Sequence, residues 1–405
     1  MVLALLFAGG VAAGAQVVPA VNGPKPLPIS GTLRYDLRYS ETAQLYDKSH
    51  GDVENAIASG ELSYANTSES RPFSATYSGG DIWNITGEST GTGVFQHLLA
   101  TQGVLGRNWS LNLSDDVDYL PQAPTTGFSG IPGVGSLPIV PTQPALPILT
   151  LNTRCLYNTL SPAYTHRLDH ADSLGVSGVY GIQRFPHNDG LNVNQLEVGP
   201  QISRRLNALN SITAQYAYSR FSYPDFAITM GTQSLEFGLQ RTWNRRLTTN
   251  VLIGPQWIKG SNTLEIPSST NLTANANATY GTPLTTVTVS YYRAATGGAG
   301  VATQIGVHND DLSAGVSRQF GKNLTLNASG AYARTRGLSA SGVTYGKYGG
   351  AGATERWGRY IIVFVNYSAI QQSSSAALPT NAVSGLSHVI GFGIGYSPRE
   401  MHFKK

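Results

Sequence analysis

An all-β fold, closed into one antiparallel up-and-down barrel that crosses a membrane, is predicted by three features: strict two-residue alternation, a turn that recurs at a near-constant interval, and a composition poor in charge. The expected strand number is about eighteen, with sixteen as the alternative. Short turns would lie on one side and longer loops on the other.

Alternation is plainest from Gly31 to Ser40, where Leu33, Tyr35, Leu37 and Tyr39 fall on one face and Arg34, Asp36 and Arg38 on the other. That is a strand with one apolar and one charged surface. Ile212, Ala214, Tyr216 and Tyr218 repeat the pattern, as do Leu235, Phe237 and Leu239, and Val287, Val289 and Tyr291. No segment has comparable helical periodicity.

The recurring turn reads Gly106-Arg107-Asn108 before Trp109, Asn244-Arg245-Arg246 before Leu247, Gly321-Lys322-Asn323 before Leu324, and Gly358-Arg359 before Tyr360. Others fall near Asn66, Asp169, Asn207 and Gly281. Successive turns lie about 37 to 40 residues apart, except one interval of about 63 that holds the longest loop. Eight turns join sixteen strands, and an opening strand at 31–40 and a closing one at 387–397 bring the total to about eighteen. About nine to eleven residues let a tilted strand cross the hydrocarbon, and lipid cannot satisfy an open edge. A propeller blade would need four short strands in this interval. A soluble adhesin-like sandwich or solenoid would not place Tyr and Trp repeatedly at strand ends.

Among 405 residues, 27 Lys+Arg and 23 Asp+Glu make only 12% charged, with a net charge of +4, about half the share usual for soluble proteins. So small and dispersed an excess excludes a nucleic-acid footprint. The single cysteine, Cys155, excludes a disulfide framework and any multi-cysteine metal centre, and no cofactor is expected. Residues 1–15 read as a signal peptide cut after Ala15, whose missing basic n-region points to a truncated start. Residues 16–29 would be a periplasmic segment, 30–397 the barrel and 398–405 a tail. No run of eighteen apolar residues follows the signal, so no transmembrane helix is expected.

The closing segment sets Ile390, Phe392, Ile394 and Tyr396 on one face against Gly391, Gly393 and Gly395. It resembles the C-terminal assembly signal of Gram-negative outer-membrane β-barrel proteins, although Pro398 to Lys405 continue past it. The whole mature chain is similar in pattern to the porin-like members of that group with unknown substrate. The resemblance implies an integral protein of the bacterial outer membrane, in contact with its lipids and lipopolysaccharide and with the barrel assembly machinery; a homotrimer is an open expectation. It implies a channel for passive diffusion of small solutes. The alternatives are an export port for a polysaccharide or other polymer, and a structural or adhesive barrel that transports nothing.

Parity puts Arg34, Asp36, Arg38, Glu61, Glu197, Arg205 and Glu236 on the inner wall, where mixed charge would bias solutes; the competing expectation is that they pair with one another and stiffen the wall. At the short-turn end Arg204 with Leu206, Arg241 with Trp243, and Arg318 with Phe320 share lipid-facing parity. They are expected to anchor the interface unless they meet a subunit or an assembly partner. The third long loop, about 120–150, holds seven of the 21 prolines, and no charge occurs from Tyr119 through Thr153. By position it resembles the constriction loop of trimeric porins, with Phe128, Ile131, Pro132, Leu137, Ile139 and Pro141 as the narrowing residues. The alternatives are that it packs over the rim, packs against a neighbouring subunit, or stays disordered. Asp115, Asp116 and Asp118 could take a divalent cation, alone or bridging lipopolysaccharide, whereas His166 and His170 only bracket a turn, and no resident metal is expected. No nucleophile motif is present, and an enzyme is not expected.

Overall fold

The computed structural model describes residues 30–404 apart from 47–52, 67, 69, 87–91, 122–153, 187–189, 260–265, 298–304, 339–341, 376–384 and 399–400. The expected signal peptide and all six residues expected to narrow the lumen lie outside the described residues.

Strands β1 (Ser30–Tyr46), β2 (Val53–Asn66), β3 (Phe73–Asn84), β4 (Gly93–Leu105), β5 (Trp109–Leu120) and β6 (Cys155–Arg167) open the wall. Then come β7 (Asp172–Arg184), β8 (Val193–Arg205), β9 (Asn210–Tyr223), β10 (Ile228–Thr242), β11 (Leu247–Lys259) and β12 (Ser269–Gly281). The wall continues with β13 (Thr285–Thr296), β14 (Val307–Phe320), β15 (Leu324–Gly337), β16 (Val343–Trp357), β17 (Ile361–Ser374) and β18 (Gly385–Tyr396). Each strand is antiparallel to the next, and β18 pairs back onto β1, from Leu37 opposite Tyr396 to Tyr46 opposite Ser387. The closed count is eighteen; the sixteen-strand alternative is excluded.

Carried once around the wall, the paired registers return to β1 displaced by about 22 residues. With strands about 4.8 Å apart, that shear tilts them by about 40° and sets a backbone diameter of about 36 Å.

The two faces divide as the alternation demands. Leu37 is 57% exposed, while Asp36 beside it is 1% exposed. Exposed Leu62, Phe237, Val365 and Phe392 continue an apolar outer band, and Ser40, Ser78, Ser234 and Thr273 lie buried on the inner face. A closed sheet whose outer band is apolar is suited to lipid, because closure leaves no open strand edge in the wall. Two apolar clusters occur on the inner face at the loop end. One gathers Val193, Phe221, Tyr223, Met230 and Ile258, and the other Ile57, Ile82, Phe95 and Leu120.

The short turns close by two chemical routes. Asp169, Asn207 and Asn244 each start a turn whose side-chain Oδ1 accepts from backbone N–H groups two and three residues on, at 2.7 to 2.9 Å. Gly321 and Gly358 instead supply left-handed corners, at φ 63° and 67°.

Three boundaries differ from the sequence expectation. β1 runs on to Tyr46 because β2 continues to pair with it up to Gln44. β9 and β10 are joined by a single 3-10 turn, Pro224–Phe226, with Ala227 in the left-handed region, not by a longer loop. The expected tail does not simply leave the barrel: β19 (Met401–Lys404) pairs with Ser30 to Leu33 of β1. Its register is offset by one residue from that of β18, as in a bulge.

Candidate functional site

The inner wall gathers most of the chain's unusual polar chemistry. One paired row crosses seven strands: Asp36 lies opposite Glu61, Glu61 opposite Ser78, Ser78 opposite His97, His97 opposite Asp118, Asp118 opposite Tyr157 and Tyr157 opposite Gln183. Directly opposed residues share a face, so the row is a ramp of inward polar groups that rises toward the loops.

All seven residues assigned inward by parity have that parity here, and they divide into two kinds. Arg34 donates to Asp36 at 2.9 Å, and Arg38 reaches the same carboxylate oxygen at 3.5 Å. Both arginines thus meet Asp36 Oδ2, the mutual pairing of the competing expectation, while Asp36 Oδ1 is buried without a hydrogen-bond partner among the described residues. Arg205 is tied to its turn, its Nε donating to the Asn207 carbonyl at 3.2 Å. Glu61, Glu197 and Glu236 have neutral partners instead. Ser63 donates to Glu61 at 3.3 Å and Ser219 to Glu197 at 2.9 Å. Gln215 and Thr273 donate to the two oxygens of Glu236 at 2.7 and 3.0 Å. The partners of these three are hydroxyl and amide groups, and Glu236 is buried beneath its two, at 8% exposed.

The structure adds His97, Asp116, Asp118, Asp311, Arg167 and Arg356 to this face. It also divides the acidic cluster of β5: Asp116 and Asp118 point inward with His97, while Asp115 lies on the outer face, where Asn158 donates to it at 3.1 Å. Strand pleating forbids three acids at 115, 116 and 118 from sharing a face. His97 Nδ1 is 2.6 Å from Asp118 Oδ1 and 3.4 Å from Asp116 Oδ1. The donor atoms of this trio lie within 4.8 Å of one another, so among the described residues it is the group that could hold a cation.

On β1 to β18 the inner face carries seven carboxylates, Asp36, Glu61, Asp116, Asp118, Glu197, Glu236 and Asp311, against five arginines, Arg34, Arg38, Arg167, Arg205 and Arg356. The two signs are separated along the axis. Arg167, Arg205 and Arg356 sit at short-turn ends of their strands, whereas Asp116, Asp118, Glu197 and Asp311 lie in the loop-side halves.

Arg204, Arg241 and Arg318, expected at the short-turn interface, have outward parity. The Arg241 guanidinium lies 3.9 Å from the Trp243 ring centroid and that of Arg318 5.0 Å from Phe320. Arg204 Nε is 3.7 Å from Asp172. On β18, Ile390, Phe392, Ile394 and Tyr396 are all exposed on the outer face. His166 ends β6 on the outer face and His170 lies in the following turn.

No family model and no curated protein matches the chain. Among solved structures it is similar to OccK2 (OpdF) of Pseudomonas aeruginosa, with a TM-score of 0.48 and 11% identity over 91% of this chain and 98% of that one. It is also similar to OpdK of Pseudomonas aeruginosa, at TM-score 0.47 and 9% identity over 94% and 100%. A BenF-like porin from Pseudomonas fluorescens Pf-5 gives 0.47 and 11% over 91% and 98%. The barrel's own strand pairing, independently of these likenesses, fixes its architecture.

Proposed function

We propose that the chain forms a passive channel in a bacterial outer membrane, admitting small polar solutes and favouring cations. The observation that carries this reading is the inner wall: Glu61, Glu197 and Glu236 stand on the inner face of a barrel about 36 Å across, held by hydroxyl and amide groups. Side chains from eighteen strands do not fill such a cylinder. Carboxylates on the wall raise the local concentration of cations, and arginines at the short-turn end make the field asymmetric along the axis. The outward Arg241–Trp243 and Arg318–Phe320 pairs would hold the short-turn rim at the lipid interface. No catalytic constellation enters this reading.

A second reading, a structural barrel sealed near its loops, is favoured by the two apolar clusters on the inner face at that end. Liposome swelling separates the two. Proteoliposomes placed in isotonic solutions of small sugars and of small organic cations should swell at rates that depend on solute size and charge. Folded, inserted protein that gives no swelling with any solute would reject the channel.

A further inference from the structure

The outer face should be apolar at every strand, but near the loop ends of β13 to β16 it is not. Arg293, His308, Arg334, Arg336 and Lys347 all have lipid-facing parity there, and Asp310 is the one carboxylate among them. The registers make one continuous patch: Arg293 lies opposite Asp310, Asp310 opposite Arg334, His308 opposite Arg336, and Tyr332 opposite Lys347. Asp310 is already engaged, since Arg293 Nη1 is 3.4 Å from its Oδ1 and the Tyr291 hydroxyl donates to the same oxygen at 3.2 Å. Arg334, Arg336 and Lys347 are exposed. Among the described residues none of the three has a carboxylate within salt-bridge reach.

Depth gives this patch its meaning. Trp109, Trp243, Phe320 and Trp357 mark an outward aromatic girdle at the short-turn end, and Trp83, Tyr119 and Trp257 mark one at the loop end. At a tilt of about 40° each residue rises about 2.5 Å, and each step to the next strand along the register about 3 Å. On that scale the girdles are about 25 Å apart, the height of an outer-membrane apolar band. Arg334, Arg336 and Lys347 stand level with or just above the loop-side girdle. They are therefore in the headgroup layer, flanked by the Tyr332 and Tyr345 rings, whose centroids are 6.5 Å apart. The same rim on β1 to β3 has the opposite sign, with Glu41, Glu54 and Asp81 outward, whereas Arg220 of β9 and Lys259 of β11 are outward at that level singly, without a second basic residue two positions along.

We infer that this patch is a docking site for the phosphate groups of a phosphorylated glycolipid in the loop-side leaflet, the lipid A part of lipopolysaccharide. Two guanidinium forks two residues apart on one strand, with an ammonium on the next, match headgroup phosphates in charge and geometry. The inference rests on the membrane-spanning reading but not on whether the lumen conducts.

The test uses full-length protein folded in detergent micelles doped with bisphosphorylated lipid A, with fully dephosphorylated lipid A, or with inorganic phosphate. Thermal unfolding is followed by heat-modifiable migration. Bisphosphorylated lipid A should raise the unfolding temperature of the parent, and R334Q/R336Q/K347Q should need about tenfold more of it or beyond for the same shift. R245Q/K322Q, at the opposite rim, should respond like the parent. Should the triple variant fail to fold, R336Q alone carries the same test with a smaller shift. An equal lipid response in parent and variant, or an equal shift from the dephosphorylated lipid or from phosphate alone, would overturn the proposal. An unchanged lipid response with an altered cross-linked oligomer pattern would overturn it too and assign the patch to contact between copies. A chain that never gives a folded, lipid-inserted species instead fails the membrane-spanning reading.

Discussion

Thr273 of β12 donates its hydroxyl to Glu236 of β10 at 3.0 Å although a whole strand runs between them. The intervening β11 presents Gly254 at that level, in register with Thr273. A Cβ on Gly254 would lie 1.8 Å from the Leu235 carbonyl oxygen. Pro255 follows, and the β10–β11 register lapses across Leu235 and Glu236, as expected where proline removes a ladder donor. The missing side chain opens the gap through which the Glu236 carboxylate is held.

Gly254→Ala should therefore force the β10–β11 backbones apart. The expected cost is about 1–3 kcal/mol, seen as a lower urea midpoint for the heat-modifiable barrel in lipid. Thr273→Val should cost about 1–3 kcal/mol, since it leaves one oxygen of the buried Glu236 without its donor while Gln215 holds the other. Equal stability of the alanine variant and the parent would show that the approach is not tight.

The Asx turns make a second prediction. Asn207 accepts from Leu209 and Asn210, both at 2.9 Å, and Asn207→Ala should destabilise by about 1 kcal/mol. The corresponding Asp169 carboxyl is held below its ordinary range by backbone N–H bonds from Asp172 and Ala171. A group lowered on folding stabilises above its unfolded pKa, and that contribution fades as pH falls through the unfolded value of about 4 toward the folded one. Asp169→Asn keeps the acceptor and removes the titration. The unfolding midpoint of the parent relative to D169N should thus fall between pH 6 and pH 3, and parallel curves would contradict the turn account.

Removing lumen charge should change selectivity without changing the fold. E61Q/E197Q/E236Q replaces three carboxylates whose hydroxyl and amide partners remain available to glutamine. The reversal potential under a potassium chloride gradient should move toward zero, while single-channel conductance stays within about twofold. An unmoved reversal potential would place the selectivity elsewhere.

The short-turn girdle can be weighed separately. Trp243→Ala removes the ring 3.9 Å below the Arg241 guanidinium and should cost about 1 kcal/mol. It should also slow insertion into preformed vesicles, measured as the rate at which the folded band appears. Wild-type insertion kinetics would argue against anchoring.

The strand count, the position of every short turn and the two faces of β1 were legible in the sequence because alternation and turn chemistry are local. What stayed hidden depends on neighbours. Asp115 and Asp116, like Asp310 and Asp311, are adjacent acids on opposite faces, so charge there obscures parity instead of marking it. Register decides that His97 meets Asp118, and no single strand encodes that pairing. Arg334 and Arg336 carry outward parity in the sequence, but a patch appears only when β14 and β16 bring His308 and Lys347 beside them. The shortness of the β9–β10 connection is hidden because Pro224-Asp225-Phe226-Ala227 gives no outward sign that four residues suffice.

The most direct test of the central claim is planar-bilayer recording of the purified, heat-modifiable protein under a tenfold potassium chloride gradient. The account predicts stable conductance steps and a reversal potential displaced toward that of potassium, because lumen carboxylates outnumber arginines even with the one net positive charge of the Arg34–Asp36–Arg38 trio counted. Folded protein that inserts and stays silent, or a reversal potential on the chloride side, would contradict it.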